Sequence, residues 1–383
     1  MRSKSKGIFN LFMKFFTSLM AAATLICACS PFLHPVHFWF IGFMSLVFPY
    51  LFFVVFILMV YWLLKKSRFA IFPLLVIILS SYTFRNNFSF HKPVQFTLKK
   101  SPDLLRMMSW NIRHFIPNDE SNFRPSNSKQ VKKVFEEVEK YQPDVICFQE
   151  FISLPGEKLN DPFKLLKEQY GYAFHQFDGS DIFHSNQYSG TAIFSKYPIV
   201  NGGVIPFPYS NADNTEATVF ADIIKGKDTI RIFSVHLQSF GFGIREYKTL
   251  QTVKVTTDEK MNESRYLLKK MKNTFNVHGL QADFLSRLLS ASPYPYILAG
   301  DLNDVPGSYA YMSVRGNHKD AFLEKGFFLG STFTSSFSFL LKSIPTLRID
   351  YIFHPSDFST IQYKRGGVGI SDHYYLLADL ARP

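Results

Sequence analysis

Arg348-Ile349-Asp350-Tyr351-Ile352-Phe353 sets one carboxylate inside an apolar, strand-like run, and Ser371-Asp372-His373 follows about twenty residues later. A strand aspartate among apolar neighbours is buried and needs a partner, because an unpaired charge is costly to take out of water. His373 is the candidate, since a carboxylate beside an imidazole orients the ring and favours its charged form. Working outward, four more phrases end an apolar run on a polar residue: Trp110-Asn111, Phe148-Gln149-Glu150, Val235-His236, and Gly300-Asp301-Leu302-Asn303. The runs that carry them outnumber the helical patterns and do not alternate with them strictly. That favours a β-sandwich flanked by helices over a doubly wound parallel sheet.

Together these residues suit the hydrolysis of phosphate esters. The reaction asks for a hard cation on the non-bridging oxygens and carboxylates to hold it. It also asks for a base to activate water, something to orient that base, and donors for the developing charge. Glu150 and Asn111 supply oxygen ligands, and Asp372 faces the same cation. Asp301 and Asn303, at i and i+2 on extended chain, point the same way and brace water and phosphate. His236 donates to a phosphate oxygen. Taken singly each has a plainer reading: a surface or capping glutamate, a turn asparagine, an Asx turn at 301–303, a structural histidine. His114, His175, His184, His278, His318 and His354 lack such a setting and read as surface or loop residues.

The first 84 residues are overwhelmingly apolar, and the remainder is long enough for one large domain with its own core. Residues 38–64 form an uncharged run sufficient to cross a bilayer, which takes ~20 residues. Residues 15–29 and 69–83 are two further candidates, the last tolerating Pro73 as membrane helices do. Arg2, Lys4, Lys6 and Lys14 precede the first run, the 30–37 loop has no Lys or Arg, and Lys65, Lys66 and Arg68 follow the second. The positive-inside rule then places everything after Thr83 on the non-cytoplasmic side, provided the third run spans. Cys27 and Cys29 after a basic start also suggest a lipoprotein signal, which the long runs that follow disfavour. The three cysteines show neither a disulfide framework nor zinc spacing. A formal charge of +12 favours polyanions: nucleic acid, anionic lipid headgroups or phosphorylated small molecules. The expected organisation is an anchor over 1–84, a polar linker over 85–103 and a catalytic domain over 104–383.

Within that domain, residues 104–111, 145–149, 190–194, 217–224, 230–237, 296–299, 347–353 and 374–380 read as strands. Residues 128–141, 163–170 and 279–289 read as helices, and 247–272 as a basic, mostly helical stretch. No internal repeat, P-loop or GxGxxG is present.

In this order the phrases S-W-N-I, D-V-I-C-F-Q-E, G-T-A-I-F-S-K-Y-P-I, S-V-H-L-Q-S, A-G-D-L-N-D-V-P, R-I-D-Y-I-F and S-D-H-Y are specific. The sequence resembles the endonuclease/exonuclease/phosphatase superfamily, with its DNase I-like fold, over residues 105–380. The resemblance implies an α/β protein, a four-layered α/β-sandwich, preceded here by N-terminal transmembrane helices. It implies Mg²⁺- or Mn²⁺-dependent phosphoester cleavage. It matches Asn111 and Glu150 to the family's metal-site pair and Asp372 to the acid beside the dyad. His236 matches a phosphate-stabilising histidine, Asp301 and Asn303 the pair that positions water and transition state, and Asp350 with His373 the His–Asp dyad. Whether the histidine or Asp301 activates water stays open. The last phrase continues Tyr374-Tyr375-Leu376 where the family more usually has Y-P-V, outside the chemistry. Since family members cleave nucleic acids, inositol phosphates and sphingomyelin, the fold does not choose among them. The expected partners are a phosphoester (a lipid headgroup, a small phosphodiester or nucleic acid) and the membrane, with no protein partner. The alternatives are a nuclease acting on extracellular or imported DNA or RNA, and a non-catalytic membrane protein that keeps the fold.

Overall fold

The computed structural model of the chain describes residues 2–116, 128–154, 161–179, 181–183, 187–209, 216–241, 258–334, 347–367 and 369–382. Among them the strands are β1 Ser89–Phe90, β2 Leu105–Asn111, β3 Val145–Ser153, β4 Phe174–Phe177, β5 Asp181–Phe183, β6 Gln187–Ser195, β7 Ile199–Pro206, β8 Ala217–Lys225, β9 Asp228–His236, β10 Tyr296–Asp301, β11 Lys319–Asp320, β12 Phe327–Phe328, β13 Asp350–His354, β14 Ser359–Gly366 and β15 Tyr375–Ala381. They build two large sheets. One runs β14-β15-β2-β3-β6-β4, with β5 beside β6; the other runs β11-β13-β10-β9-β8-β7.

Strand alternation explains why these sheets stack. On β2 and β3 the residues Met107, Val145 and Cys147 point to one face, where they meet Ile232, Ile297 and Ala299 of β9 and β10. Their neighbours Met108, Trp110, Ile146 and Phe148 point the other way, onto Val131, Val134, Phe135 and Val138 of the Ser128–Tyr141 helix. On the second sheet Phe233, Val235 and Leu298 turn outward onto Leu285 and Leu289 of the Asp258–Ser290 helix and onto Ala310 and Tyr311. The result is helix, sheet, sheet, helix: the four-layered α/β-sandwich. Arg106 on β2 and Asp379, opposite it on β15, close one side with a buried two-pronged pair at 2.6 and 2.8 Å.

Several local expectations change. β3 does not end at Gln149 but runs through Glu150 to Ser153. Residues 258–290 form one helix, not a basic stretch followed by a separate amphipathic helix; the 247–257 part of that reading lies outside the described residues. The 85–103 stretch is not uniformly irregular: Ser81–Asn87 is helical, and β1 pairs with β12.

At the N-terminus, where the first helix is Arg2–Ala28, the segments Lys6–Phe32 and Ile41–Leu64 are long and apolar enough to cross a membrane. A third apolar segment is bent by 56° between Arg68–Leu79 and Ser81–Asn87. These helices pack on the sandwich. Ser30 Oγ donates to the Gly307 carbonyl at 2.7 Å, Arg348 Nη2 donates to the Asn86 carbonyl at 2.7 Å, and the Phe43 and Phe275 rings meet edge to face at 5.2 Å.

Candidate active site

The site forms where parallel strands end together. β2 lies parallel to β3, and β9 parallel to β10. The register of the second sheet sets Asp301 directly beside His236 on one neighbour and Asp350 on the other. Three polar side chains thereby converge from three adjacent strands.

Asp350 is nearly fully buried, and both its oxygens face Nδ1 of His373, at 3.0 and 3.2 Å. Burial alone would push the His373 ring down; Asp350 and then Asp301, whose Oδ2 lies 3.6 Å from the same nitrogen, hold it up at about 10. The ring is also fixed from behind, because Trp110 Nε1 donates to the His373 carbonyl at 3.1 Å.

Asn111 ends β2 and links the two sheets: its Nδ2 donates to Glu150 Oε1 and to Asp301 Oδ2, each at 3.1 Å. Glu150 reaches the site through a β-bulge. The pairing of β3 with β6 slips between Phe148 and Phe151, and Glu150 takes a φ of 51°. An inserted residue of this kind re-aims a side chain that strict alternation would point elsewhere. Burial would raise the Glu150 carboxyl, but His114, His236 and His373 around it hold it below its ordinary value. Asp301 is raised by burial and by Asp350. Asp372 is raised by burial, with His373 and Arg113 pulling the other way; Arg113 Nε lies 3.6 Å from its Oδ2.

Among the described residues His236 Nε2 is buried without a hydrogen-bond partner, 3.8 Å from Asp301 Oδ2 and 3.9 Å from Glu150 Oε1. A buried donor left unmade is costly, so the nitrogen is set to meet something that enters the site. Asn303 behaves differently from expectation. The chain is not extended there: Asn303 has φ 50°, its N–H donates to Asp301 Oδ1 at 2.7 Å in an Asx turn, and its Nδ2 donates to the Leu237 carbonyl at 2.9 Å. It ties the Asp301 loop to the end of β9 and does not share a face with Asp301.

Seven of the eight residues singled out from sequence thus gather at one place, with Asn303 bracing the rim. Others were missed. His114, read as a surface residue, lies with Nδ1 3.2 Å from Glu150 Oε2 and Nε2 2.7 Å from Ser189 Oγ. Glu216 is a buried carboxyl pushed up to about 7 by burial, against the pull of His236. His278 and His354 are fully buried, His278 with Nε2 2.6 Å from the Gln238 carbonyl and His354 with Nε2 3.0 Å from Glu324. His184 lies outside the described residues. The one signal for His114 was its place two residues beyond the Trp110-Asn111-Ile112 phrase.

The donor set fits a hard divalent cation. Glu150, Asp301, Asp350 and Asp372 offer oxygens, the preference of Mg²⁺ and Mn²⁺; Asn111 turns its Oδ1 to the Arg113 N–H at 3.1 Å and adds an oxygen only with its amide flipped. Ligand atoms of Asp301, Asp350 and His373 all lie within 4.8 Å of one another.

Residues 108–373 match the model of the Endonuclease/Exonuclease/phosphatase family, and the chain belongs to that family of phosphoester hydrolases. A second model, for a domain of unknown function, matches residues 10–87. Among solved structures the chain is similar to the endonuclease/exonuclease/phosphatase from Beutenbergia cavernae DSM 12333. The two share 20% identity over 73% of this chain and 72% of that one, with a TM-score of 0.50, a likeness of fold. It is also similar to humanized D. rerio TDP2, at 17% identity over 73% and 99% of the two chains, TM-score 0.48. A family protein from Leptotrichia buccalis C-1013-b is similar at 16% identity over 72% and 99%, TM-score 0.48. No curated protein matches the chain in sequence.

Proposed function

We propose that this protein is a membrane-anchored, divalent-cation-dependent hydrolase of phosphoester bonds. The observation that carries the reading is the convergence of the Asp350–His373 pair, the Asn111–Glu150–Asp301 link and the unpartnered His236 Nε2. Glu150 and Asn111, with Asp372, would hold Mg²⁺ or Mn²⁺, which supplies positive charge to the non-bridging oxygens. His236 Nε2 is the donor for a phosphate oxygen. Asp350 occupies Nδ1 of His373, which leaves Nε2 of that ring to face the substrate. The water proton leaves toward the Asp301 carboxylate, His373 keeping its own proton beside Asp350, with Asn303 holding the Asp301 loop in place.

Residues 1–84 are the anchor and 104–383 the catalytic domain in this reading. Loop residues between the first two apolar helices touch the domain: His34 Nε2 lies 3.3 Å from Asp283, and Lys272 lies over the Trp39 ring at 5.6 Å. That loop and the domain therefore share one side of the membrane, which requires the 68–87 segment to cross back. The basic flanks make that side non-cytoplasmic.

The test uses the full chain in detergent with bis-p-nitrophenyl phosphate and Mg²⁺ or Mn²⁺. Glu150→Gln and His373→Ala should each lower kcat by about 10³-fold or more with unchanged thermal unfolding. Mn²⁺ binding by calorimetry should weaken in Glu150→Gln. Variants that keep activity within a few-fold of the parent would sink the reading.

A further inference from the structure

The catalytic domain does not stand clear of the bilayer. The two-stranded ribbon of β1 and β12 leaves Phe90, Phe327 and Phe328 exposed at 62%, 55% and 40%. Such a cluster at a sheet edge is a liability in water and calls for a cover. Its position says what the cover is. Phe328 packs on Phe53, ring centroids 6.2 Å apart, and on Phe88 at 5.6 Å; Phe90 stacks on Phe84 at 6.0 Å. Phe53 lies in the middle of the Ile41–Leu64 helix, not at its end.

Lengths make this decisive. The cations mark the far surface of the membrane: Lys65, Lys66 and Arg68 follow that helix, and Lys14 lies over the Phe69 ring at 5.7 Å. From Lys65 back to Phe53 the helix covers about 18 Å at ~1.5 Å per residue. The hydrocarbon core is ~30 Å thick. Tilt only widens the shortfall. A full ~30 Å measured from Lys65 reaches about Ser45, and Ser45 packs directly on Gly307 of the 301–308 loop. The ribbon therefore lies below the level where the core should end, and the loop that carries Asp301 and Asn303 lies at its boundary. Phe32 and Tyr82, exposed at 63% and 44% and 5.4 Å apart, add aromatic surface beside Ala28 and Thr83. Arg85, Lys92 and Lys325 are exposed near the ribbon, suited to anionic headgroups.

We propose that the β1–β12 ribbon is a membrane-entering edge, with Phe90, Phe327 and Phe328 immersed in the leaflet on the domain's side. The bilayer thins to meet the remaining mismatch, at a fraction of a kcal/mol per Å. Resting on the phosphoesterase reading above, this sets the catalytic loops at headgroup depth and makes the substrate class a phosphoester carried by a lipid of the same bilayer.

Depth is measured independently of catalysis. The full chain, with Cys27, Cys29 and Cys147 replaced by Ala, is spin-labelled singly through Phe327→Cys, Ile57→Cys or Val200→Cys. It is then reconstituted in phosphatidylcholine–phosphatidylglycerol vesicles. The label at 327 should be open to oxygen and closed to a water-soluble nickel chelate, as at 57 on the lipid-facing helix and unlike 200 on the far edge strand β7. A label at 327 that behaves like the one at 200 overturns the proposal. In the second arm, Phe90→Ser with Phe327→Ser should reduce hydrolysis of vesicle phospholipid by about tenfold or more. Turnover of soluble bis-p-nitrophenyl phosphate should stay within about twofold of the parent. Equal loss on both substrates, or no loss on vesicles, overturns the headgroup placement. A parent chain inert on every phosphoester defeats the hydrolase reading and the substrate class, while the spin labels still decide the immersion.

Discussion

Single residues in this protein carry two kinds of weight, chemical and structural, and the two can be separated by substitution. Asp350 touches only one end of the His373 ring. Asp350→Asn keeps its shape and removes its charge, so the ring loses both orientation and the group that favours its proton. The expected loss in kcat is roughly 10²–10⁴-fold with little change in KM, read from steady-state rates on a soluble diester. A rise in KM with kcat unchanged would point to substrate binding instead. Arg348, two positions earlier on the same strand approach, is structural. It is 1% exposed, donates from Nη1 to Asp320 at 2.5 Å and from Nη2 to Asn86. Arg348→Ala would leave Asp320 buried without its partner, a cost of about 3–5 kcal/mol. Thermal unfolding in detergent should fall by several degrees, and an unchanged midpoint would show the pair to be idle. Asp350 and Asp301 were legible as sequence because each interrupts or ends an apolar run, and His373 because buried Asp350 needs a partner. Glu216 was not, and His114 only by its place just past the Trp110-Asn111-Ile112 phrase, since little else local distinguishes a loop histidine or a strand-leading glutamate until the fold brings Glu150 and His236 beside them.

At the scale of elements, the apolar runs that mark β2, β3, β9, β10 and β13 were readable because these strands are buried on both faces over most of their length. β7 and β14 escaped notice for the opposite reason: half-buried edge strands with mixed composition carry a weak period. The bulge at Glu150 could not be read at all, because a bulge is a property of pairing with β6 and not of β3 alone. The close approach of β9 to β10 rests on Gly300, at φ 151°, where an added Cβ would meet the Val235 carbonyl oxygen at 2.0 Å. Gly300→Ala must push these strands apart exactly where Asp301 faces His236. Loss of activity by about tenfold or more is expected, together with ~1–3 kcal/mol of stability. Away from the site, His318 stacks on Tyr296 at 4.1 Å, and burial, then His354, push its ring down to about 4. The unfolded chain takes up this proton near pH 6.5 and the folded chain does not. The stability it contributes is therefore complete above pH 6.5 and lost as pH falls toward 4. His318→Phe keeps the stack without the proton, so its midpoint should drop less between those pH values. A parallel shift of both proteins would remove His318 from the account.

For the whole molecule, composition suggested a soluble domain tethered by apolar helices through a polar linker, and the contacts describe something tighter. The N-terminal helices reach the two loops beside the candidate site: Ser30 holds Gly307, six positions after Asp301, and Asn86 holds Arg348, two before Asp350. Phe43 and Phe53 cover Phe275 and Phe328. No run of hydropathy announces such contacts, because a membrane helix is apolar on every side whether it faces lipid or protein. With these contacts the C-terminal domain and the N-terminal helices are expected to unfold together. A fragment beginning at Phe88 would uncover Phe275 and Phe328 to water and free both loops of their outer supports. Its melting point should lie several degrees below that of the full chain in the same detergent. Its kcat on a soluble phosphodiester should fall by about tenfold or more, since a loop displaced by ~1 Å costs on the order of a hundredfold in rate. A fragment that matches the full chain in both respects would show that the anchor only delivers the enzyme to the bilayer. If the fragment keeps its stability but loses rate, the anchor positions the catalytic loops, and activity should return when the Asn86–Arg348 contact is rebuilt by restoring residues 68–87 alone.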